Sequence, residues 1–428
     1  MTDTASSAAA TSTTPQRPPR IRWVLVAFLL IGGIVNYLDR STLSVANTTI
    51  AEEFGLGPVE MGLLLSAFAW PYAIANLPAG YLVDRFGPKW MFAAASAAWS
   101  LVGMVTAAAQ SFGALYALRV ALGVTEAPFF TAALSVNQRW FGRSERALPV
   151  ALVNTGSQVA NAIAPPLLTF LMLTMSWRGM FLVVGALGVV VALVWLRIYR
   201  DPTLREQAAI HAEEALAAGP VVPDTAKVGW GTLLRRPNTW FMVLGAFGIF
   251  YTVWVYLTWL PSYLQTSLGF SLKESGWLAA LPFLCGVVGV LFGGWLSGRL
   301  IGAGVSTVRA RKIPIVGGAV LAAAAVLPAA FVTHVPSVIA LLSLGYFAAQ
   351  VPIGCLWTLA ADIAPAHQVA SLGAIQNFGG FVGAAVAPVV TGAILAATGG
   401  SYTWVFVVGG ALLLLGALSY GAFVRDRS

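Results

Sequence analysis

Twelve apolar runs, parted by short charged or Pro/Gly breaks, follow one another along this chain. A run of about twenty apolar residues is long enough to cross the hydrocarbon core of a bilayer as a helix. The runs fall near 23–47, 59–82, 89–109, 112–136, 147–173, 177–199, 238–264, 275–298, 311–333, 336–361, 369–397 and 402–424. Composition agrees: 9% of residues are charged, against about 25% in soluble domains. Mean hydropathy is +0.81. The expected fold class is an all-α membrane protein with twelve transmembrane helices and the lipid bilayer as solvent.

Charge sets the orientation. Twenty of the 24 Lys and Arg residues fall in segments that share one side if the N-terminus is cytoplasmic. Only Arg178 and Lys273 fall on the other side; Arg40 and Arg119 lie within spans. The positive-inside rule therefore puts both termini in the cytoplasm. It also explains the net charge of +8 without nucleic acid. The expected organisation is a disordered tail over 1–22, a six-helix bundle over 23–199, a cytoplasmic loop over 200–237, a second bundle over 238–424 and a short tail over 425–428. An amphipathic surface helix fits 203–217. The halves carry echoes of each other. Asn154-x-Gly156 before Ala164-Pro165 returns as Asn377-x-Gly379 before Ala387-Pro388, and Glu126-Ala127-Pro128 returns as Gln350-Val351-Pro352. Two pseudo-symmetric bundles with a site between them at the midplane are a transporter plan.

Four charges inside the spans carry the chemistry. Asn36-Tyr37-Leu38-Asp39-Arg40 lies in the first run, Arg119 and Glu126 in the fourth. Each ionised side chain near a helix centre costs about 2.5–3.5 kcal/mol on insertion scales, so these should face protein or a wet cavity. The first span rises and the fourth returns. At a helix rise of 1.5 Å per residue, Asp39, Arg40 and Arg119 sit about 10–12 Å below one boundary, with Glu126 about 10 Å deeper. Asp39 and Arg119 are thus expected to pair. Arg119, Gly123 and Glu126 share a helix face, and Gly123 leaves room for a close neighbour, with Gly32-Gly33 at matching depth. A buried guanidinium can replace the lost hydration of an organic anion. A carboxyl that trades arginine contact for desolvation between two states changes its proton affinity. The four charges read as the coupling and substrate centre of a proton-driven carrier; the bland alternative is a static set of ion pairs.

Between spans two and three lies Gly80-Tyr81-Leu82-Val83-Asp84-Arg85-Phe86-Gly87-Pro88-Lys89. Gly80 would permit close packing, and Asp84 with Arg85 would form a charge relay that latches the halves. The copy Gly294-Trp295-Leu296-Ser297-Gly298-Arg299 lacks the acid.

With that loop and the six-plus-six plan, the chain resembles the major facilitator superfamily. Asn36 to Arg40, Phe68-Ala69-Trp70-Pro71-Tyr72 to Pro78-Ala79-Gly80, and Arg119 to Glu126-Ala127-Pro128 resemble its anion:cation symporter family. That family includes bacterial hexonate and hexarate carriers and, more distantly, sialin and the vesicular glutamate transporters. The resemblance implies alternating access, with Asp39 and Glu126 as the protonatable pair and Arg119 partnering Asp39. Arg40 would meet the substrate carboxylate; Tyr37 and Tyr72 would line the cavity, with Trp357 opposite. The pocket departs from the sugar-acid pattern. Ser157, with Gln158 beside it, stands where those carriers have Gln; Ala246 and Phe250 replace amides in span seven; Gly380 replaces an Asn, while Gln376 and Asn377 remain. Phe250, Tyr251, Trp254 and Tyr256 make span seven aromatic.

The expected function is proton-coupled import of a small organic anion, a sugar acid leading, across a bacterial inner membrane by a monomeric carrier. Alternatives are an aromatic or less hydroxylated carboxylate, or an anion exporter or exchanger. No cofactor is expected beyond the proton. Cys285 and Cys355 lie in separate runs, and His211, His334 and His367 lack ligand spacing. With no nucleotide loop or nucleophile–base pair, an enzyme is not expected.

Overall fold

The computed structural model describes residues 20–142, 145–208, 210, 230–363 and 369–424. Most of both expected tails, His211, Glu213, Glu214, His367 and the greater part of the central loop lie outside the described residues. Among the described residues the chain is helical, with no strand. The first half holds α1 (Ile21–Val45), α2 (Asn47–Phe54), α3 (Pro58–Ser66), α4 (Ala69–Thr106), α5 (Phe112–Glu126), α6 (Pro128–Trp140) and α7 (Ala147–Ile198). After α8 (Trp230–Leu234), the second half holds α9 (Pro237–Thr266), α10 (Leu272–Gly302), α11 (Thr307–Ala329), α12 (Val335–Gln350), α13 (Ile353–Ile363), α14 (Val369–Ala397) and α15 (Thr403–Leu418).

Ten helical stretches among the described residues are long and apolar enough to span a membrane. Two of them, at 49 and 51 residues, are each twice the length one crossing needs. Each turns at a single residue, which makes twelve spans in all. Spans two and three turn at Gly87, with φ 78° and ψ 155°; this left-handed backbone favours glycine, and Pro88 opens the next helix. Spans five and six turn at Ser176, with φ 67° and ψ 170°. That corner is tied by Glu53, which accepts from Trp177 Nε1 at 2.7 Å and pairs with Arg178 at 2.6 Å. The Arg178 hydrogen bond, then that of Trp177, holds the Glu53 carboxyl below its ordinary value.

Spans four and ten are broken at the same place. The fourth breaks between Glu126 and Pro128, the tenth between Gln350 and Ile353 after Pro352. Proline has no N–H to continue the ladder, so the echo in the sequence is an echo in the backbone. Span two is also broken, between Ser66 and Ala69. The central loop opens on a short helical stretch at 204–208. Arg200 grips Glu206 at 2.6 and 2.7 Å, which with the Thr203 amide pushes its carboxyl down to about 2.

The halves meet unevenly. Call the end that carries most cations the basic face. At the opposite face Gly62 abuts the Pro388 carbonyl, and Gly392 abuts the Pro58 carbonyl. Thr48 Oγ1 donates to Gln265 at 2.8 Å, Ser44 to the Thr258 carbonyl at 3.0 Å and Ser66 to the Ala385 carbonyl at 2.5 Å. Toward the basic face no hydrogen bond or ion pair joins the halves among the described residues. The close contacts between the halves among the described residues thus gather at the face away from the cations.

Candidate functional site

The intramembrane charges gather on facing sides of α1 and α5. Asn36 and Asp39 are buried on α1; Arg119, Gly123 and Glu126 are buried along one face of α5. Arg40 Nε donates to Glu126 Oε2 at 2.6 Å, with the carboxylate fully enclosed. The expected Asp39–Arg119 pair is not formed. Both Asp39 oxygens lack a hydrogen-bond partner, and the carboxyl lies against Gly103 of span three, where an added Cβ would sit 3.0 Å from Oδ1. Arg119 Nη2 instead donates to Thr42 Oγ1 at 3.2 Å, and that hydroxyl donates to the Asp39 carbonyl at 2.6 Å.

Side-chain direction explains the exchange of partners. Helical side chains lean toward their own N-terminus. The helices are antiparallel, so Arg40 leans down toward Glu126 while Glu126 leans up to meet it. Asp39 and Arg119 start level and lean apart. Gly123 likewise finds a different neighbour from the one expected. An added Cβ there would collide with the Phe68 carbonyl at the break in span two, whereas Gly32 and Gly33 face Phe92 and Phe129.

Arg40 stands in an aromatic cage. Its guanidinium carbon lies 4.6 Å from the ring centres of Tyr37, Phe68 and Tyr72. Its Nη2 is buried with no partner, as is Glu126 Oε1. The cage continues into the second half: Phe68 stacks on Trp254 at 6.5 Å, and Tyr72 meets Phe381 at 5.3 Å. Beside it, a cavity of about 50 Å³ opens between the halves, reached by Tyr37, Arg40, Arg119, Asn161, Trp254 and Thr258. That is room for a few waters and too little for a larger anion.

Other expected site residues stand elsewhere. Tyr251 is buried in the second half, ring toward Phe247 and hydroxyl toward Thr391, away from the cavity. Ser157 faces Tyr37 but donates to the Asn154 carbonyl at 2.6 Å. Gln158 and Asn377 are half-buried. Gln376 is buried and donates to the Leu356 carbonyl at 3.1 Å. Trp357 is 52% exposed, over Gly373 toward the basic face.

Among the described residues the latch is not engaged: Asp84 and Arg85 are exposed, and the one hydrogen bond of Arg85 goes to Tyr81 of its own helix at 3.3 Å. An added Cβ at Gly80 would meet, among the described residues, nothing closer than Thr131 at 4.0 Å, so close packing is not formed there among them. In the second half Arg311 pairs with Asp362 at 3.3 Å and donates to Ser297 at 3.1 Å. The acid missing from the repeated loop is thus supplied by the end of span ten.

Phe68, Phe381, Thr42 and Thr258 are the residues a reading of charges passes over. Phe68 had a signal: it sits one turn before Pro71-Tyr72, opposite Gly123. The others had none, because an apolar or hydroxyl residue in a span looks like any other until the helices meet.

Residues 29–388 match the family model described as "Major Facilitator Superfamily". A probable L-galactonate transporter of Escherichia coli (strain K12) is 37% identical over 415 residues, covering 96% of this chain and 91% of the relative. A D-galactonate transporter of Escherichia coli O6:H1 is 31% identical, covering 96% and 97%. The fold is shared with a bacterial homolog of the human lysosomal transporter Spinster in an inward-facing, occupied conformation. The TM-score is 0.75 at 19% identity, with 94% and 96% of the two chains covered. Twelve spans among the described residues, a charge centre at the broken helix of the first half and these matches lead to one conclusion: the chain belongs to the major facilitator superfamily, whose members are transporters and not enzymes.

Proposed function

We propose that this protein carries a small organic anion, a sugar acid leading, into the cell together with a proton, across a bacterial inner membrane with both termini inside. The observation that carries this reading is the buried Arg40–Glu126 pair with a spare N–H in an aromatic cage at the junction of the halves. The desolvation of a buried ion pair can exceed what its attraction returns, and charges kept inside membrane spans mark functional sites. An incoming carboxylate takes the Arg40 guanidinium, and Glu126 is then better served by a proton. Asp39, whose oxygens have no hydrogen-bond partner, is the second proton holder. The relatives named as galactonate transporters support a sugar acid as cargo.

A second reading concerns the cargo alone. Phe250 fills the space beside Gly380, with ring atoms 3.0–3.2 Å from an added Cβ, and Trp254 and Phe68 wall the cavity. Apolar walls favour a less hydroxylated or aromatic acid, since unmatched hydroxyls are costly to bury.

The test is uptake into proteoliposomes under an imposed pH gradient, with D-galactonate, L-galactonate and benzoate as probes. Accumulation driven by acid outside, lost in Glu126→Gln and Asp39→Asn, is the expected result. Exchange that ignores pH would replace symport by anion exchange. Transport of benzoate alone would decide for the second cargo.

A further inference from the structure

Arg119 is buried in span four, yet its one side-chain hydrogen bond among the described residues goes to a neutral hydroxyl, Thr42 Oγ1 at 3.2 Å. Among the described residues it also lies 5.7 Å from the centre of the Phe181 ring. A buried guanidinium beside a neighbouring helix that offers a carboxyl would ordinarily take the carboxyl. Asp39 is that carboxyl, three residues from Thr42 on the same helix, and it stays unbonded.

We infer that Thr42 is a positioning residue for proton exchange: its hydroxyl is the neutral resting place that holds Arg119 away from Asp39 in this state. The inference rests on Asp39 being a coupling carboxyl. The chemistry is specific to a hydroxyl. Thr42 Oγ1 donates its one proton to the Asp39 carbonyl at 2.6 Å, so only its lone pairs face Arg119. It is fully buried, so no bulk solvent competes. An acceptor with no charge engages the guanidinium without neutralising it, which leaves Arg119 able to transfer to Asp39 once that group loses its proton. A mid-helix threonine that bonds back to its own helix is commonplace; one that also accepts from a buried arginine across the helix pair is not explained by helix geometry.

The surroundings of Asp39 hold few other influences. Arg40 lies on its own helix, and Arg119 and Glu126 lie on span four. Span three faces it with Gly103 and has no titratable side chain from Met91 to Ser111. Spans five and six carry no charge from 147 to 177 or from 179 to 196. Removing the Thr42 hydroxyl therefore leaves Arg119 one acid within a turn to move to.

The test is a pH titration of the melting temperature of the full-length protein in lipid nanodiscs. Subtracting the profile of Asp39→Asn isolates the transition that depends on Asp39. Thr42→Val is expected to move that transition about one pH unit toward acid, because a guanidinium at the carboxyl favours its charged form. Thr42→Ser should keep the wild-type midpoint. If the valine variant does not fold, Thr42→Ala repeats the measurement with less crowding. An unchanged midpoint in a folded hydroxyl-free variant overturns the inference. So does a serine variant displaced as far as valine, or a wild-type profile with no part that depends on Asp39. Gradient-driven D-galactonate uptake is scored separately in wild type. Its absence with D-galactonate, L-galactonate and benzoate alike would sink symport, while the titration still decides whether Thr42 holds Arg119.

Discussion

The two halves repeat one backbone and bury different chemistry. Span four breaks after Glu126 and span ten after Gln350, each followed two residues later by proline. The first half puts a carboxylate at that break and pairs it with Arg40. The second half puts an amide there, with Oε1 unpartnered, and among its described residues no charged side chain is buried. Its charges stand at helix ends, as in the Arg311–Asp362 pair. The difference teaches that the fold needs the break and not the charge. The broken helix opens backbone and space at mid-membrane, and only one half spends that space on ion chemistry. The other half supplies aromatic and neutral walls, Trp254 and Phe381 among them, that close over it.

The comparison can be broken most forcefully at the break itself. Glu126→Gln gives the first half the second half's amide and leaves Arg40 unpaired. It should cost about 3–5 kcal/mol, read as a lower melting temperature, and abolish gradient-driven uptake. Gln350→Glu is the converse: it buries a carboxylate that no guanidinium faces. A loss at alkaline pH that fades toward acid is expected, because the unpaired carboxyl escapes the cost by taking up a proton; a loss independent of pH would assign it to packing.

Next in size is the close approach that lets the charged half form. Gly123 admits the broken backbone of span two at Phe68. Gly123→Ala forces that backbone away and should lower stability by about 1–3 kcal/mol, whereas Gly80→Ala, with only Thr131 at 4.0 Å, should change the melting temperature little.

The two one-residue corners differ in the same instructive way. Ser176 holds a left-handed backbone at a cost that glycine does not bear. Ser176→Gly should therefore stabilise by about 1 kcal/mol, while Gly87→Ala should destabilise by about as much; differential scanning calorimetry separates the two signs.

The smallest effect is that of pH on the tie at Ser176. Arg178 holds the folded Glu53 carboxyl below its ordinary value. Its contribution is therefore present above the unfolded value of about 4.3 and lost as pH falls through the lower folded value. The pair is exposed, so the gain is slight. Glu53→Gln should lower the melting temperature at pH 7 and converge with wild type as pH falls through the lowered folded value. A difference that persists in acid would assign the effect to the Trp177 hydrogen bond instead.

Much of this was legible before any coordinates. The spans could be read because hydrocarbon admits only long apolar helices, and the breaks because proline cannot donate. The four charges stood out because lipid rarely tolerates an idle one. Pairing was not legible. Equal depth along the axis suggested Asp39 with Arg119, but side chains on antiparallel helices lean in opposite senses, which matched Arg40 with Glu126. The corners at Gly87 and Ser176 looked like loops between runs, because one residue in the left-handed region can do the work of several.

The sequence by itself determined which groups had to be hidden from lipid and which backbone positions could not stay helical, since both follow from solvation and covalent structure. Only the tertiary structure decided who meets whom: Arg40 with three rings, Arg119 with Thr42, Gly62 with Pro388, and Ser44 and Thr48 with the second half. Those are properties of helices in contact, and a contact belongs to two segments at once, so neither segment's sequence contains it.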